Sequence, residues 1–171
     1  AAMEAVVINA FDEKDKLLVI SGGTFGRRFE RICYVHGVPH EVLRLSSYQE
    51  LTPEMLRVYQ HQGFTGLLVN LHETSTGRLY DVEMLSSFCK ENTLYFIVDA
   101  ISTFLCDPYS MDAYGIDATI ISSQKGLCLP PGLSAVILSQ RLWEERIRDQ
   151  QEAHEGNREH DHGRRDACGL T

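Results

Sequence analysis

Short apolar runs alternate with helical stripes along most of the chain, and this alternation strongly limits how the sequence can fold. The runs lie at 17–21 (LLVIS), 41–45 (EVLRL), 66–71 (GLLVNL), 94–99 (LYFIVD), 117–121 (DATII) and 133–139 (LSAVILS). Most show no apolar–polar alternation, so they predict strands that are buried on both faces of a mainly parallel sheet. The predicted fold class is therefore α/β, with helices on both faces of the sheet.

The segments between these runs carry helix signals. The opening stretch 1–16 predicts a helix, because Met3, Val6, Val7 and Ala10 fall on one face at helical spacing. The other predicted helices are a stripe from Phe25 to Cys33 ending at Gly37, a helix opened by Thr52-Pro53, one from Asp81 to about Glu91, a turn at 108–114 and a helix at 141–147. Strands and helices thus alternate, as in a single doubly wound domain.

Composition excludes several classes of protein. No apolar run approaches 18 residues, so no membrane span is expected. The formal net charge of −8 disfavours non-specific binding to nucleic acid or to anionic membranes. The five cysteines are odd in number and include no CxxC, so we expect neither a disulfide framework nor a metal site. No secretory signal is visible, and we therefore expect reduced thiols in a cytoplasmic protein.

Polar residues follow three of the predicted strands. The segment 72–77 (HETSTG) follows one strand, Asp99 ends another, and Lys125 lies in the loop 122–126 (SSQKG) after a third. Each feature alone has a structural explanation as a helix cap or a solvated loop. In a parallel sheet, however, the carboxyl ends of the strands form the ligand site. An amine, a carboxylate and hydroxyls at one edge suit pyridoxal phosphate, which needs an amine for a Schiff base and a carboxylate for its protonated ring nitrogen.

Five blocks of sequence carry a resemblance to a known family. They are AAMEA (1–5), GTFGRRF (23–29), HETSTG (72–77), VDAIS (98–102) and YGIDATIISSQKGLCLPPG (114–132). In this order and spacing they resemble the class V aminotransferases, pyridoxal-phosphate enzymes of fold type I, over almost all of residues 1–147. The resemblance implies the large, cofactor-binding domain of the aspartate-aminotransferase-like fold.

The resemblance also implies two catalytic residues. Lys125 matches the lysine that forms the Schiff base with the cofactor and then moves a proton as general base. Asp99 matches the carboxylate that pairs with the ring nitrogen and keeps it protonated.

Four further residues match cofactor-binding positions of the family. Phe25 and Ile101 would cover the two faces of the ring, Thr74 would hydrogen-bond the phenolic oxygen, and Gln124 would help to hold the phosphate. For Phe25 the alternative is a core phenylalanine at the start of a helix.

The expected reaction moves an amino group from a small donor to a 2-oxo acid such as pyruvate or glyoxylate. Gln124 argues against the cysteine desulfurases, which carry histidine before the lysine. The blocks GTFGRRF, HETSTG and AAMEA are most similar to the 2-aminoethylphosphonate–pyruvate transaminases, whereas SQKG with LPPG is similar to the alanine– or serine–glyoxylate transaminases. Both branches stay open, and the family implies a homodimer.

The two ends of the chain differ from the family pattern. The opening helix has no N-cap residue, and the family's phosphate-binding loop would precede it. Residues 148–171 contain few apolar side chains and predict a disordered tail foreign to the family, where His160 and His162 could bind a metal adventitiously. We therefore expect a family member truncated at both ends.

Two alternative functions follow. One is a catalytically silent cofactor-binding fragment that lacks the phosphate loop and the C-terminal substrate domain. The other is a generic nucleotide-binding module, which is disfavoured because no GxGxxG or Walker-type loop follows the first strand.

Overall fold

The computed structural model describes residues 1–46 and 49–148, and the predicted tail lies outside them from residue 149 onward. The elements in chain order are α1 (Ala2–Ala10), β1 (Leu17–Ser21), α2 (Thr24–Val35), β2 (His40–Arg44), α3 (Pro53–Arg57), β3 (Gly66–Asn70), β4 (His72–Glu73), β5 (Arg78–Leu79), α4 (Val82–Glu91), β6 (Tyr95–Asp99), α5 (Met111–Tyr114), β7 (Ala118–Ser122), β8 (Ser134–Leu138) and α6 (Gln140–Leu142), followed by a π-helical turn at Trp143–Ile147.

Six strands form one sheet in the order β2-β1-β3-β6-β7-β8. All neighbouring pairs are parallel except β7 and β8, which are antiparallel. The predicted mainly parallel sheet is therefore confirmed. The short strands β4 and β5 pair separately as an antiparallel hairpin.

Helices cover both faces of this sheet, as predicted. Leu18 and Ile20 of β1 belong to an apolar cluster that also contains Leu85 of α4. Their neighbours Leu17 and Val19 belong to a second cluster, which contains residues of α1, α2 and α6. Successive side chains of a strand point to opposite faces, so a strand between two helical layers must be apolar at every position.

The two edge strands depart from this rule. The run at 133–139 predicts a buried strand, but every residue of β8 is exposed or half-buried, and Ile137 is 41% exposed. β2 is likewise only partly buried. An edge strand has a neighbour on one side only, and so an apolar run alone does not reveal how much of it is covered.

Most predicted helix ends agree with the structure. Asp81 accepts a hydrogen bond from the Met84 amide at the start of α4, as predicted. Thr52 occupies the N-cap position of α3, but its side chain makes no capping hydrogen bond. The opening helix is shorter than the predicted 1–16. It ends at Ala10, because Phe11 is extended and Asp15 accepts a hydrogen bond from the Asp12 amide in the turn that follows.

None of the helices in the described part of the chain is long and apolar enough to cross a membrane.

Candidate active site

A cavity of about 250 Å³ lies at the carboxyl ends of β3, β6 and β7. Its lining contains all six residues predicted from the sequence: Phe25, Thr74, Asp99, Ile101, Gln124 and Lys125. These residues come from four separate stretches of the chain, and the parallel topology brings them to one edge of the sheet. The structure thus brings these six residues together, and their roles toward a ligand stay predictions.

Asp99 is the last residue of β6 and lies at the floor of the cavity, with 1% of its surface exposed. The Asn70 side-chain amide donates to its Oδ2 atom at 2.9 Å, and the Ile101 backbone amide donates to Oδ1 at 3.0 Å. Burial raises the pKa of Asp99, and the two hydrogen bonds offset only part of that effect. The nearby Glu73 charge raises this pKa further.

Lys125 lies in the turn after β7, and Gly126 allows that turn to pack tightly. A Cβ atom at Gly126 would lie 2.0 Å from the Phe104 carbonyl oxygen, so only glycine fits there without moving the backbone. Ser123 secures the base of the loop by donating its hydroxyl to the Pro130 carbonyl at 2.7 Å. Within residues 1–46 and 49–148, the Lys125 amine has neither a hydrogen-bond nor an ion-pair partner.

Glu73 joins the loop that carries Thr74 to the helix that carries Phe25. Its carboxylate is 1% exposed and accepts hydrogen bonds from the Gly26 amide at 3.0 Å and the Phe25 amide at 3.1 Å. The Ser75 hydroxyl donates to the same carboxylate at 2.7 Å. A carboxylate at the first turn of α2 also interacts favourably with the helix dipole.

These contacts determine the protonation of Glu73. Burial by itself would raise its pKa, but the hydrogen bonds from Ser75, Gly26 and Phe25 together lower the pKa below its usual value. Glu73 is thus an ionised crosslink between two segments of the cavity wall.

Thr74 reaches across the cavity wall to the loop after β6. Its hydroxyl lies 2.8 Å from the Ser102 hydroxyl, which also lines the cavity. Thr74 therefore retains hydrogen-bonding capacity for a ligand, because a hydroxyl has one donor and two acceptor positions.

Sequence reasoning missed several residues of the site. Asn70, Arg28, Ser102 and Ser122 line the cavity, and Glu73 supports it from behind. Asn70 had a detectable signal, because it is a polar residue near the carboxyl end of an otherwise apolar strand. Glu73 lies inside the HETSTG block, but its partners 47 and 48 residues away are not visible in the sequence.

Comparison with known proteins gives a consistent family assignment. The family model described as aminotransferase class V matches residues 1–151. The small subunit of a soluble hydrogenase from Synechococcus sp. is 32% identical over 148 residues, which cover 84% of this chain and 38% of that protein. A 2-aminoethylphosphonate–pyruvate transaminase from Vibrio vulnificus is 30% identical over 142 residues, covering 82% of this chain and 39% of that enzyme.

A solved structure shows the same fold. The alanine–glyoxylate aminotransferase from Nostoc sp. superposes with a TM-score of 0.78 at 30% identity, covering 84% of this chain and 38% of that one. The present chain thus spans less than two fifths of the length of each of these proteins.

Proposed function

The chain belongs to the class V aminotransferases, and we propose that it forms the pyridoxal-phosphate-binding core of a transaminase. The observation that carries this proposal is the convergence of Lys125 and Asp99 on one cavity, together with the aromatic ring of Phe25 and the hydroxyl of Thr74. In this proposal residues 1–147 form part of the family's large domain, and residues 148–171 do not belong to it.

The residues of the cavity fit this cofactor. Each oxygen of the Asp99 carboxylate accepts one hydrogen bond from the protein and has a further lone pair. A buried carboxylate of this kind suits a protonated ring nitrogen. The buried Ser122 hydroxyl oxygen has no hydrogen-bond partner among the described residues, so it is open to a polar group in the cavity.

When bound, pyridoxal phosphate supplies a carbonyl carbon and a ring that accepts electrons. Lys125 would hold the cofactor covalently through Nζ and, once its amine is free, would accept a proton on that atom as general base and pass it on. The Asp99 carboxylate would accept a hydrogen bond from the ring nitrogen and keep that nitrogen protonated. Phe25 and Ile101 would lie against the two ring faces and exclude water from them.

Two polar residues would complete the binding of the cofactor. Thr74 would hydrogen-bond the phenolic oxygen, and Gln124 would help to hold the phosphate. Both side chains line the cavity, and Gln124 directly precedes Lys125.

The proposed reaction transfers an amino group from 2-aminoethylphosphonate, alanine or serine to a 2-oxo acid such as pyruvate or glyoxylate. Support comes from the activities after which the Vibrio vulnificus and Nostoc relatives are named. We further propose that the intact protein is a homodimer in the cytoplasm. The four cysteines of the described residues are free thiols, which agrees with a reducing compartment.

A second candidate is a cofactor-binding fragment without transaminase activity. It is kept beside the first because this chain covers 39% of the Vibrio vulnificus enzyme and 38% of the Nostoc enzyme, so their activity comes to it by similarity alone.

The test is to mix the full chain with pyridoxal phosphate, reduce the sample with sodium borohydride, and locate any covalent adduct by peptide mass spectrometry. We expect the adduct on Lys125, its loss in Lys125→Ala, and its retention in the control Lys14→Ala, which alters an exposed turn. An adduct that persists in Lys125→Ala would refute the assignment.

Adding an amino donor to the loaded chain then separates the two candidates. Conversion of the bound cofactor to its amine form, detected by absorbance and by release of the 2-oxo product, supports the transaminase. Binding at Lys125 without conversion by 2-aminoethylphosphonate, alanine or serine supports the silent fragment.

A further inference from the structure

We propose that Asn70 is a positioning residue for Asp99, holding the Asp99 carboxylate so that its remaining lone pairs are available to the cavity. This inference deepens the proposed function and rests on it, because Asp99 is the proposed partner of the cofactor's ring nitrogen. Asn70 itself lines the same cavity.

The sheet places the two residues side by side. β3 and β6 are parallel neighbours, and Asn70 is the register partner of Asp99. The Leu71 amide donates to the Asp99 carbonyl at 3.0 Å, which fixes the backbone at the ends of both strands. The side-chain hydrogen bond of 2.9 Å therefore joins two groups with little freedom to move apart.

Both side chains are withdrawn from solvent, with 3% of Asn70 and 1% of Asp99 exposed. An ionised carboxylate can only accept hydrogen bonds, so the amide must turn its NH₂ group toward Asp99. Its Oδ1 atom is then left buried and has no partner among the described residues. A purely structural polar pair would usually satisfy both ends of the amide, whereas this one leaves an acceptor at the wall of a ligand cavity.

The surroundings of Asp99 contain charges of both signs. Arg28 lines the cavity and lowers the pKa of Asp99, whereas Glu73 raises it. Lys125 lies in the same lining. Burial raises the pKa of Tyr109 to about 12, and the Asp99 charge raises it further. The hydrogen bond between the Tyr109 and Thr119 hydroxyls opposes this shift. Among residues 1–46 and 49–148, the side-chain donor that contacts the carboxylate directly is the Asn70 amide.

Replacing Asn70 by leucine removes the donor while leaving a side chain of similar size. The measurement is the pH titration of the Asp99 carboxyl carbon by ¹³C NMR, in the cofactor-free full chain labelled at aspartate, with the signal assigned from Asp99→Asn. We expect the pKa of Asp99 to rise by about one unit, because the ionised form loses its side-chain hydrogen bond.

Val69→Ala is the matched control. Val69 is the preceding residue of β3, is fully buried, and belongs to the apolar cluster. The substitution loosens the same strand without touching the carboxylate, so the pKa of Asp99 in this variant should stay within about 0.3 units of its wild-type value. If Asn70→Leu shifts the titration no more than Val69→Ala does, the positioning role is overturned. Asn70→Ala, with the same expected shift, replaces the leucine variant if the latter does not fold.

Cofactor affinity separates failure of this inference from failure of the proposed function. Asn70→Leu should weaken binding of pyridoxal phosphate about tenfold, because loss of one hydrogen bond to a charged group is of that order. If the wild-type chain binds the cofactor at Lys125 but Asn70→Leu leaves the Asp99 titration unchanged, only this inference is overturned. If the wild-type chain does not bind the cofactor but Asn70→Leu still shifts the Asp99 titration as expected, the Asn70–Asp99 coupling is supported and the proposed function is refuted.

Discussion

Replacing Glu73 by alanine should strongly destabilise the chain and loosen the wall of the cavity. The carboxylate accepts hydrogen bonds from Phe25, Gly26 and Ser75, and it is almost completely buried. Alanine leaves two backbone amides at the start of α2 without their acceptor and cuts the connection to the 73–77 loop. The perturbation therefore affects both the helix and the segment that carries Thr74.

The expected magnitude follows from these contacts. Loss of a helix cap costs about 1 kcal/mol, and each hydrogen bond to a charged group contributes about 1.5–3 kcal/mol. The bonds share one side chain and water can replace part of them, so their contributions do not add in full. We expect Glu73→Ala to lower the free energy of unfolding by about 3 kcal/mol and Glu73→Gln, which keeps one acceptor, by about half as much.

Urea denaturation of the full chain, followed by circular dichroism, measures this change. The matched control is Glu83→Ala, which removes an exposed glutamate from the first turn of α4 and should cost less than about 0.5 kcal/mol. Equal losses in Glu73→Ala and Glu83→Ala would refute the reasoning.

The effect of Glu73 also depends on pH in a defined direction. Its pKa is lowered in the folded chain, so its stabilising contribution is complete above the usual value of 4.5 and disappears as the pH falls through the lowered value. The difference between wild type and Glu73→Gln should therefore shrink in acid. A difference that grows below pH 4.5 would contradict the assigned protonation.

Three further changes test the site. Because burial raises the pKa of Asp99, its charge reduces the stability of the chain at neutral pH. Asp99→Asn should therefore raise the urea midpoint of the cofactor-free chain at pH 7, and this gain should fade as the pH falls toward 3.8. An unchanged midpoint would contradict this reasoning. Phe25→Ala should weaken pyridoxal-phosphate binding about two- to tenfold, because ring stacking contributes about 0.5–1.5 kcal/mol. Absorbance titration measures this, and an unchanged affinity would assign the ring to the core alone. Gly126→Ala should displace the Lys125 turn from the Phe104 carbonyl and reduce adduct formation with the cofactor. Gly37→Ala is the control, because its added Cβ meets open space; it should lower stability without affecting the adduct.

The strands were predictable because burial on both faces leaves a strong local signal. Every residue of β1 and β3 is buried, and their runs contain few polar side chains. The boundaries of these strands agree with the predicted runs to within a residue. Predictions were weaker at the edges, because the burial of β8 depends on which strands and helices happen to cover it. The β4–β5 hairpin was missed because each of its strands is only two residues long.

The candidate site was predictable to the extent that function is concentrated at strand ends. Asp99 ends a buried strand, Thr74 lies shortly after another, and Lys125 lies in a short polar loop. Each therefore stands out from the apolar pattern beside it. Asn70 and Glu73 were not recognised, although both are buried polar residues at the same edge. Their importance depends on partners that lie far away in the chain.

The sequence by itself determined the α/β class, the residues available at the carboxyl ends of the strands and the family to which the chain belongs. These properties depend on local periodicity and on short blocks of residues, which can be read without knowing what lies beside them. The tertiary structure decided that Asn70 donates to a carboxylate 29 residues away and that Glu73 accepts from amides 47 and 48 residues away. Such bonds exist only after strand order, register and helix packing have brought the groups within about 3 Å. Sequence periodicity carries no information about distances between groups far apart in the chain.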